Sequence, residues 1–394
     1  MTYADRWLLP DGVEEILPAE ARQIETLRRR LLDLYRCWGY DLVIPPLVEF
    51  TDSLLIGLGR DLDLLTFKLT DQLSGRTLGV RADITPQTAR MDAHSLTLQG
   101  ANRLCYAGHV LHTKPKTPLA TRSPILSGAE LYGEAGLGAD VEVISLLLES
   151  LQTLGLNNAS VEIGHVGIYR ALIDAAGLNA PQQDTLFDLL QRKAAAEMRA
   201  WVQGNIADPV LANILQQLPR LAGSRDSLRE AKQALGKAPA AVIDAVTQLE
   251  TLADLVSQRY PQAQLYFDLS ELHSFTYHTG LWFAAFAPGY GRALATGGRY
   301  DDVGAVFGRA RPATGFHIDV TALNRLLNIA VENPPGIYAP ASEDPRQWQA
   351  IQALRAAGET VVTGFAGEQV RLDEIDCDRQ LVLNEGEYRV VAWA

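Results

Sequence analysis

Cysteine is scarce in this chain of 394 residues: there are three, at positions 37, 105 and 377, and no CxxC pair. A disulfide framework and a cysteine zinc cluster are therefore excluded. Long apolar segments are also missing. No run of about 18 apolar residues occurs, so nothing reads as a membrane span. The opening MTYADRWLLPDGVEEILP interleaves charges and prolines where a secretion signal needs a continuous apolar stretch. Positive charge is in deficit, with 35 Lys and Arg against 47 Asp and Glu, for a formal net charge of −12. That balance weighs against extensive contact with a polyanion. The phosphate loop GxxxxGK[ST], the zinc helix HExxH and the nucleophile elbow GxSxG are all absent. His109 and His112 straddle a strand at a spacing that sends them to opposite faces, so no metal site is expected. These absences describe a reduced, cytoplasmic protein.

The chain is 47% hydrophobic, enough for two or three packed domains. Residues 17–39 read as an amphipathic helix, with Leu27, Leu31, Leu34 and Tyr35 at helical spacing and Gly39 as its stop. YDLVIPPLVEF follows as a strand that Pro45 and Pro46 confine to an edge or interrupt. Two short strands are expected at 64–70 and 76–81, then a strand, a charged loop and a strand over 103–133. Asp140 is expected to cap a helix. Residues 160–167 read as a strand leading into a helix. The Ala-, Leu-, Gln- and Arg-rich stretch 181–258 reads as an all-helical insertion in a mixed chain. Strands return near 264, 281 and 292, with a helix at 320–330. The best linker is Glu332-Asn-Pro-Pro-Gly336. The division expected is a core over 1–330 and a small α/β module over 331–394. From Glu332 onward, eleven Asp and Glu face five Lys and Arg, half of the whole deficit.

Four strings carry candidate chemistry. RADITPQTAR (81–90) sets Arg81, Asp83 and Thr85 on one face if extended, an arrangement suited to an amino group. Equally, it is a strand running into a Thr/Pro helix start. GGRYDD (297–302) brings an arginine fork and carboxylates to paired glycines; alone it also fits a tight turn with a surface ion pair. LHSFTYHTGLWF (272–283) fits an aromatic pocket for an imidazole or amino acid, or ordinary core. The loop 113–122, with Lys114, Lys116 and Arg122 among prolines, reads as a solvated cover over a pocket.

Taken in order from about residue 8 to 330, these strings resemble the catalytic core of class II histidyl-tRNA synthetases. The resemblance implies an α+β fold: an antiparallel sheet flanked by helices, carrying a helical insertion and followed by the small C-terminal module. It implies a homodimer through the first helix and the proline-bearing strand. It also exposes losses. AGHVLHTKP puts Leu111 at a motif arginine and Thr113 at a glutamate; GFHIDVTAL puts Ala322 at an ATP-clamping arginine; HSFTYHTG puts His273 at the catalytic arginine. Adenylate chemistry needs those cations. The amino-acid pocket matches better. Asp83 and Thr85 stand at the α-amino site, Glu130 by the imidazole, and Tyr277 at the first of two tyrosines. His278 replaces the second tyrosine, Leu126 replaces a glutamine, and Arg299, Tyr300 and Asp301 keep the glycine-tyrosine loop.

A synthetase core so altered is similar to the regulatory subunits of ATP phosphoribosyltransferase, the first enzyme of histidine biosynthesis. That resemblance implies a non-catalytic chain with no cofactor, metal or tRNA. It implies a hetero-oligomer, a hetero-octamer by family analogy, with a short-form catalytic subunit that the chain activates and lets histidine inhibit. Histidine would sit among Asp83, Thr85, Glu130, Tyr277, His278, Arg299 and Tyr300. The alternative is a divergent histidyl-tRNA synthetase that still forms histidyl-adenylate and charges tRNA.

Overall fold

The computed structural model of the chain describes residues 7–55, 60–96, 98–117, 120–272, 277–331, 334–367 and 375–393. It divides into two units, 1–329 and 330–394.

Helix α1 (Pro18–Cys37) starts on a proline, whose missing N–H costs nothing at that position. Ile24, Leu27, Leu31 and Tyr35 form its buried stripe. Burying each leucine contributes about 1.5–3 kcal/mol. Gly39, at φ +80°, turns the chain out of the helix. The proline pair then divides the expected strand in two. Before it, β1 (Asp41–Leu42) runs along one edge of the main sheet; beyond it, β2 (Val48–Phe50) belongs to another. Without N–H donors, Pro45 and Pro46 cannot continue the ladder. After the short helices α2 (Thr51–Leu54) and α3 (Arg60–Leu65), β3 (Phe67–Thr70) and β4 (Thr77–Val80) complete a three-stranded sheet, β2–β4–β3.

Helix α4 (Thr85–Arg90) leads through a π-helical turn at Met91–Leu96 to β5 (Asn102–His109) and β6 (Ile125–Tyr132). Helix α5 (Leu137–Thr153), β7 (Ser160–His165) and α6 (Val166–Ala176) follow. Residues 180–259 fold as α7 (Ala180–Gln191), α8 (Ala195–Asn205), α9 (Pro209–Gln217), α10 (Arg225–Ala234) and α11 (Ala240–Arg259). A two-residue strand, β8 (Ala222–Gly223), interrupts them and pairs with β9 (Gln264–Asp268). Leu186, Leu249 and Val256 of this stretch are buried in the same core as α1, α5 and the sheet. Strands β10 (Leu281–Phe286), β11 (Ala293–Arg299) and β12 (Ala313–Asp319) and helix α12 (Val320–Leu327) close the unit.

The main sheet is β1–β5–β6–β12–β11–β10–β7–β9–β8. Its centre is antiparallel, and parallel pairing occurs where β1 joins β5 and β9 joins β7. Alternation gives the sheet two chemically different faces. Ser127, Ala129 and Leu131 of β6 and Phe316 and Ile318 of β12 turn towards the helices, where the Tyr35 ring meets Phe316 edge-on at 6.0 Å. Leu126, Gly128, Glu130, Gly315, His317 and Asp319 turn to the opposite face, which holds the candidate site.

The second unit folds around β13 (Gly336–Ala339), α13 (Pro345–Ala356), β14 (Val361–Thr363), β15 (Cys377–Asn384) and β16 (Glu387–Ala392), in sheet order β14–β13–β15–β16. Its core is Ile337, Ala339, Ile351, Val361 and Leu381. Strand β15 has no counterpart among the sequence expectations.

Candidate functional site

In the register of the sheet Glu130 lies opposite Gly315, and Gly315 opposite Gly298. A Cβ on Gly315 would collide with the Glu130 carboxylate, and one on Gly298 would strike the His278 ring. The two glycines therefore leave space in which buried side chains can lie flat on the sheet. Glu130 is 1% exposed. It accepts hydrogen bonds from Thr85 Oγ1 at 2.8 Å, from the Tyr106 hydroxyl at 3.1 Å and from the Tyr300 hydroxyl. Burial pushes its carboxyl up to about 8, against the pull of these donors. Tyr277 stacks on Tyr300 with ring centroids 5.2 Å apart and meets the His278 ring edge-on at 5.4 Å. The Tyr277 hydroxyl is buried and has no hydrogen-bond partner among the described residues.

RADITPQTAR folds as a turn into α4 rather than a continuous strand. Arg81 donates to the carbonyls of His109 and Pro45, at 2.7 and 2.8 Å. Asp83 Oδ1 accepts from the backbone N–H groups of Ile84 and Thr85, at 2.6 and 3.1 Å. Asp83 thus secures the helix start, and Thr85 spends its hydroxyl on Glu130.

Five of the seven expected site residues, Thr85, Glu130, Tyr277, His278 and Tyr300, come together here, with Asp83 at their margin. Arg299 does not join them. Neighbours along a strand face opposite ways, so Tyr300 enters the site and Arg299 goes to the helix side. There its Nη2 donates to Asp140 at 2.7 Å, with Nε at 3.1 Å from the same carboxylate. Its Nη1 reaches Asp301 and the Glu134 carbonyl, both at 3.2 Å. The reading of Asp140 as a helix cap is corrected by the same contact. Gly136 occupies that position, and Asp140, one turn in, is claimed by Arg299. The alternative of a surface ion pair for GGRYDD fails too, because the Asp140–Arg299 pair is buried.

Beside this packed cluster, on the same face, lies a cavity of about 430 Å³. Leu126 joins the two, since it lines the cavity and packs on Ile84 and Tyr106. His112 and Lys116 border the cavity from the 113–122 side, His317 and Asp319 from β12, and Arg292 from the start of β11. His112 Nε2 lies 3.0 Å from the Ala82 carbonyl, and burial holds the ring down to about 4. At neutral pH it is therefore uncharged, and its buried Nδ1 has no partner among the described residues. The loop 113–122 does border a pocket, as its composition suggests.

The comparisons with known proteins identify the family. Residues 12–323 match the family model described as histidyl-tRNA synthetase, and residues 334–391 match the ATP phosphoribosyltransferase subunit HisZ C-terminal domain. An ATP phosphoribosyltransferase regulatory subunit of Cellvibrio japonicus is 61% identical over 99% of this chain and 98% of the relative. One of Teredinibacter turnerae is 56% identical over the full length of both. This chain belongs to the ATP phosphoribosyltransferase regulatory subunits. The fold agrees. A Bacillus halodurans structure described as an ATP phosphoribosyltransferase regulatory subunit/histidyl-tRNA synthetase superposes with a TM-score of 0.83, at 27% identity, over 95% of this chain and 97% of that one. A histidyl-tRNA synthetase from Nostoc sp., 19% identical, shares the fold with a TM-score of 0.76.

As a regulatory subunit of this transferase, the chain serves a catalytic partner and the biosynthesis of histidine, and the reading as a tRNA-charging enzyme is not favoured. Of the positions that the resemblance sets against synthetase arginines, Leu111 hydrogen-bonds through its N–H to the Arg81 carbonyl at 3.0 Å. Ala322 is buried in the first turn of α12, where its N–H bonds to Asp319. His273 lies outside the described residues. Among the described residues no helix is long and apolar enough to cross a membrane. Glu162, Asp268 and Glu271 form one carboxylate group that could hold a cation, but Lys193 Nζ already lies 2.5 Å from Asp268. Tyr106 and Arg292 were not singled out from the sequence. Tyr106 sits two residues from Leu104 on the expected strand, and its inward phase was the available signal.

Proposed function

We propose that histidine is the effector of this regulatory subunit and binds over Asp83, Thr85, Glu130 and Tyr277. Binding there would govern the rate of a short-form catalytic subunit in the cytoplasm. In this reading the core over 1–330 dimerises through α1 and β1, with the helical stretch 181–258 as its insertion. The acidic module over 331–394 accompanies it into a hetero-octamer. Effector control then follows from unequal histidine affinity for two assembly states.

The observation that carries this reading is the buried Tyr277 hydroxyl, without a partner among the described residues, set beside a buried carboxylate. An orphaned buried hydroxyl costs about 1–3 kcal/mol, and an imidazole nitrogen within reach would remove that cost. The Glu130 carboxylate suits the other, N–H-bearing nitrogen of the same ring. Tyr277 and Tyr300 stack across the space an imidazole would take, so entry requires one ring to shift. The substitutions at Leu111, Ala322 and His273 remove the positive charge that adenylate formation needs, which supports a sensor rather than a catalyst.

Calorimetric titration of the chain with histidine tests the proposal, paired with Tyr277→Phe. Removing an unsatisfied hydroxyl should leave the free chain as stable or more stable, while histidine affinity falls about tenfold. Histidine-dependent exchange of pyrophosphate into ATP is expected to be absent. Its presence, or a chain that ignores histidine, would reverse the reading.

A further inference from the structure

We propose that Arg292 and Lys116 receive the carboxylate of the amino-acid effector, in place of the arginines the synthetase-like core has lost. The inference rests on histidine as the ligand of the Glu130 cluster and assigns the other end of that ligand.

Gly128 precedes Glu130 by two residues on β6, about 7 Å at the usual strand rise, and lies opposite His317 in the register. The Tyr106 ring covers Gly128, so an amino acid held by its ring at Glu130 and by its amino group near Asp83 would pass its carboxylate beside that ring towards His317. That is the rim of the 430 Å³ cavity. Among the described residues, the cationic side chains lining this cavity are Lys116 and Arg292. His112 and His317 are both held below the usual histidine range, chiefly by burial, and carry no charge at neutral pH. Asp319 is the carboxylate at this end, and its Oδ1 is engaged by the Ala322 N–H. Two cations thus face one partly committed carboxylate, which leaves an excess suited to one anionic group. Glu162 of β7 and Glu271, which follows β9, line the far side; β7 lies two strands from β11, whose start carries Arg292, or about 10 Å.

Arg292 is held ready for this role. Its Nη1 donates to Thr117 Oγ1 and its Nη2 to the Tyr290 hydroxyl at 2.9 Å. That uses two of five donors and fixes the guanidinium 5.1 Å over the Tyr290 ring. Lys116 is exposed, and no ion pair of its ammonium is found among the described residues. Arg292 reaches the cavity from the β10–β11 connection and Lys116 from the loop 113–122, so one carboxylate would join two chain segments far apart in sequence. Arg292 acts as a charge-assisted, bidentate-capable donor, and Lys116 as a point charge.

The test uses the full chain, titrated calorimetrically with histidine and with histamine, which has the imidazole and amine but no carboxylate. Wild type should bind histidine about tenfold or more tighter than histamine. Arg292→Gln should remove most of the preference for histidine while leaving histamine binding unchanged. Arg292→Lys should retain part of the preference, and Lys116→Gln should lose part of it. Equal binding of the two ligands by wild type overturns the inference. So does an Arg292→Gln variant that weakens both alike, since that marks a structural role. A wild type that binds histamine but not histidine also overturns this assignment while sparing an imidazole site at Glu130. Binding of neither ligand overturns the effector reading and this inference with it.

Discussion

Replacing Arg299 with methionine is expected to destabilise the core by about 3–5 kcal/mol, seen as a lower denaturant midpoint. The side chain of Asp140 is 2% exposed and that of Arg299 10%. Removing the guanidinium leaves a carboxylate buried against the first turn of α5, with hydration closed to it. Burial already raises the Asp140 carboxyl even with Arg299 in place, so the orphaned group would take up a proton. The Glu134 and Gly136 carbonyls would lose the guanidinium as a donor as well, although Gly136 keeps the Ala139 N–H. The double variant Asp140→Leu, Arg299→Met should recover much of the loss, because a buried ion pair exchanged for apolar groups is often close to neutral. Histidine affinity of the folded double variant should stay within a few-fold of wild type, since Arg299 faces away from the site. If the single variant keeps its stability, or the double variant loses histidine binding outright, the placement of Arg299 on the helix face is wrong.

The second large effect is on pH. Glu130 titrates near 8 in the folded chain and near 4.3 when unfolded. Between these values the native state holds a proton that the unfolded state has released. Its contribution is therefore fully present below about pH 4.5, falls as pH rises to about 8, and is constant above that. The slope from a fully shifted group approaches 1.4 kcal/mol per pH unit. Glu130→Gln, which keeps the shape and stays neutral, should flatten that part of the stability profile. The ligand's cationic ammonium near Glu130 favours the ionised carboxylate, and the ring binds neutral, so histidine binding at pH 7 should release protons. Calorimetry in buffers of different ionisation enthalpy measures that release directly. An unchanged stability slope in Glu130→Gln would remove Glu130 as the titrating group.

Local features of this fold could be read from the sequence because single residues decide them. Leu27, Leu31 and Tyr35 and the stop at Gly39 set the first helix, while Leu34 of the expected stripe is half-buried and Ile24, outside that expectation, completes it. The Pro45-Pro46 pair ended one strand and opened another in a second sheet. Ordered motifs located Glu130, Thr85 and Tyr300, whose hydroxyl and carboxylate groups do meet. Contacts between distant segments could not be read. Asp140 and Arg299 are 159 residues apart, and nothing near either names the other. Strand alternation alone could have separated Arg299 from Tyr300, had the strand been taken to continue through GGRY. Asp83 and Thr85 alternate on paper, but the chain turns into α4 between them. Strand β15 begins CDRQ, whose charges hide a strand that is buried mainly at Leu381.

The most direct measurement is the rate of phosphoribosyl transfer by the short catalytic subunit, alone and with this chain, across a histidine titration. The chain should raise the rate, histidine should lower it again, and Tyr277→Phe should shift the inhibition to higher histidine while leaving the activation in place. A rate unchanged by the chain, or activation that histidine leaves untouched at any concentration, would contradict histidine control through the Glu130 site.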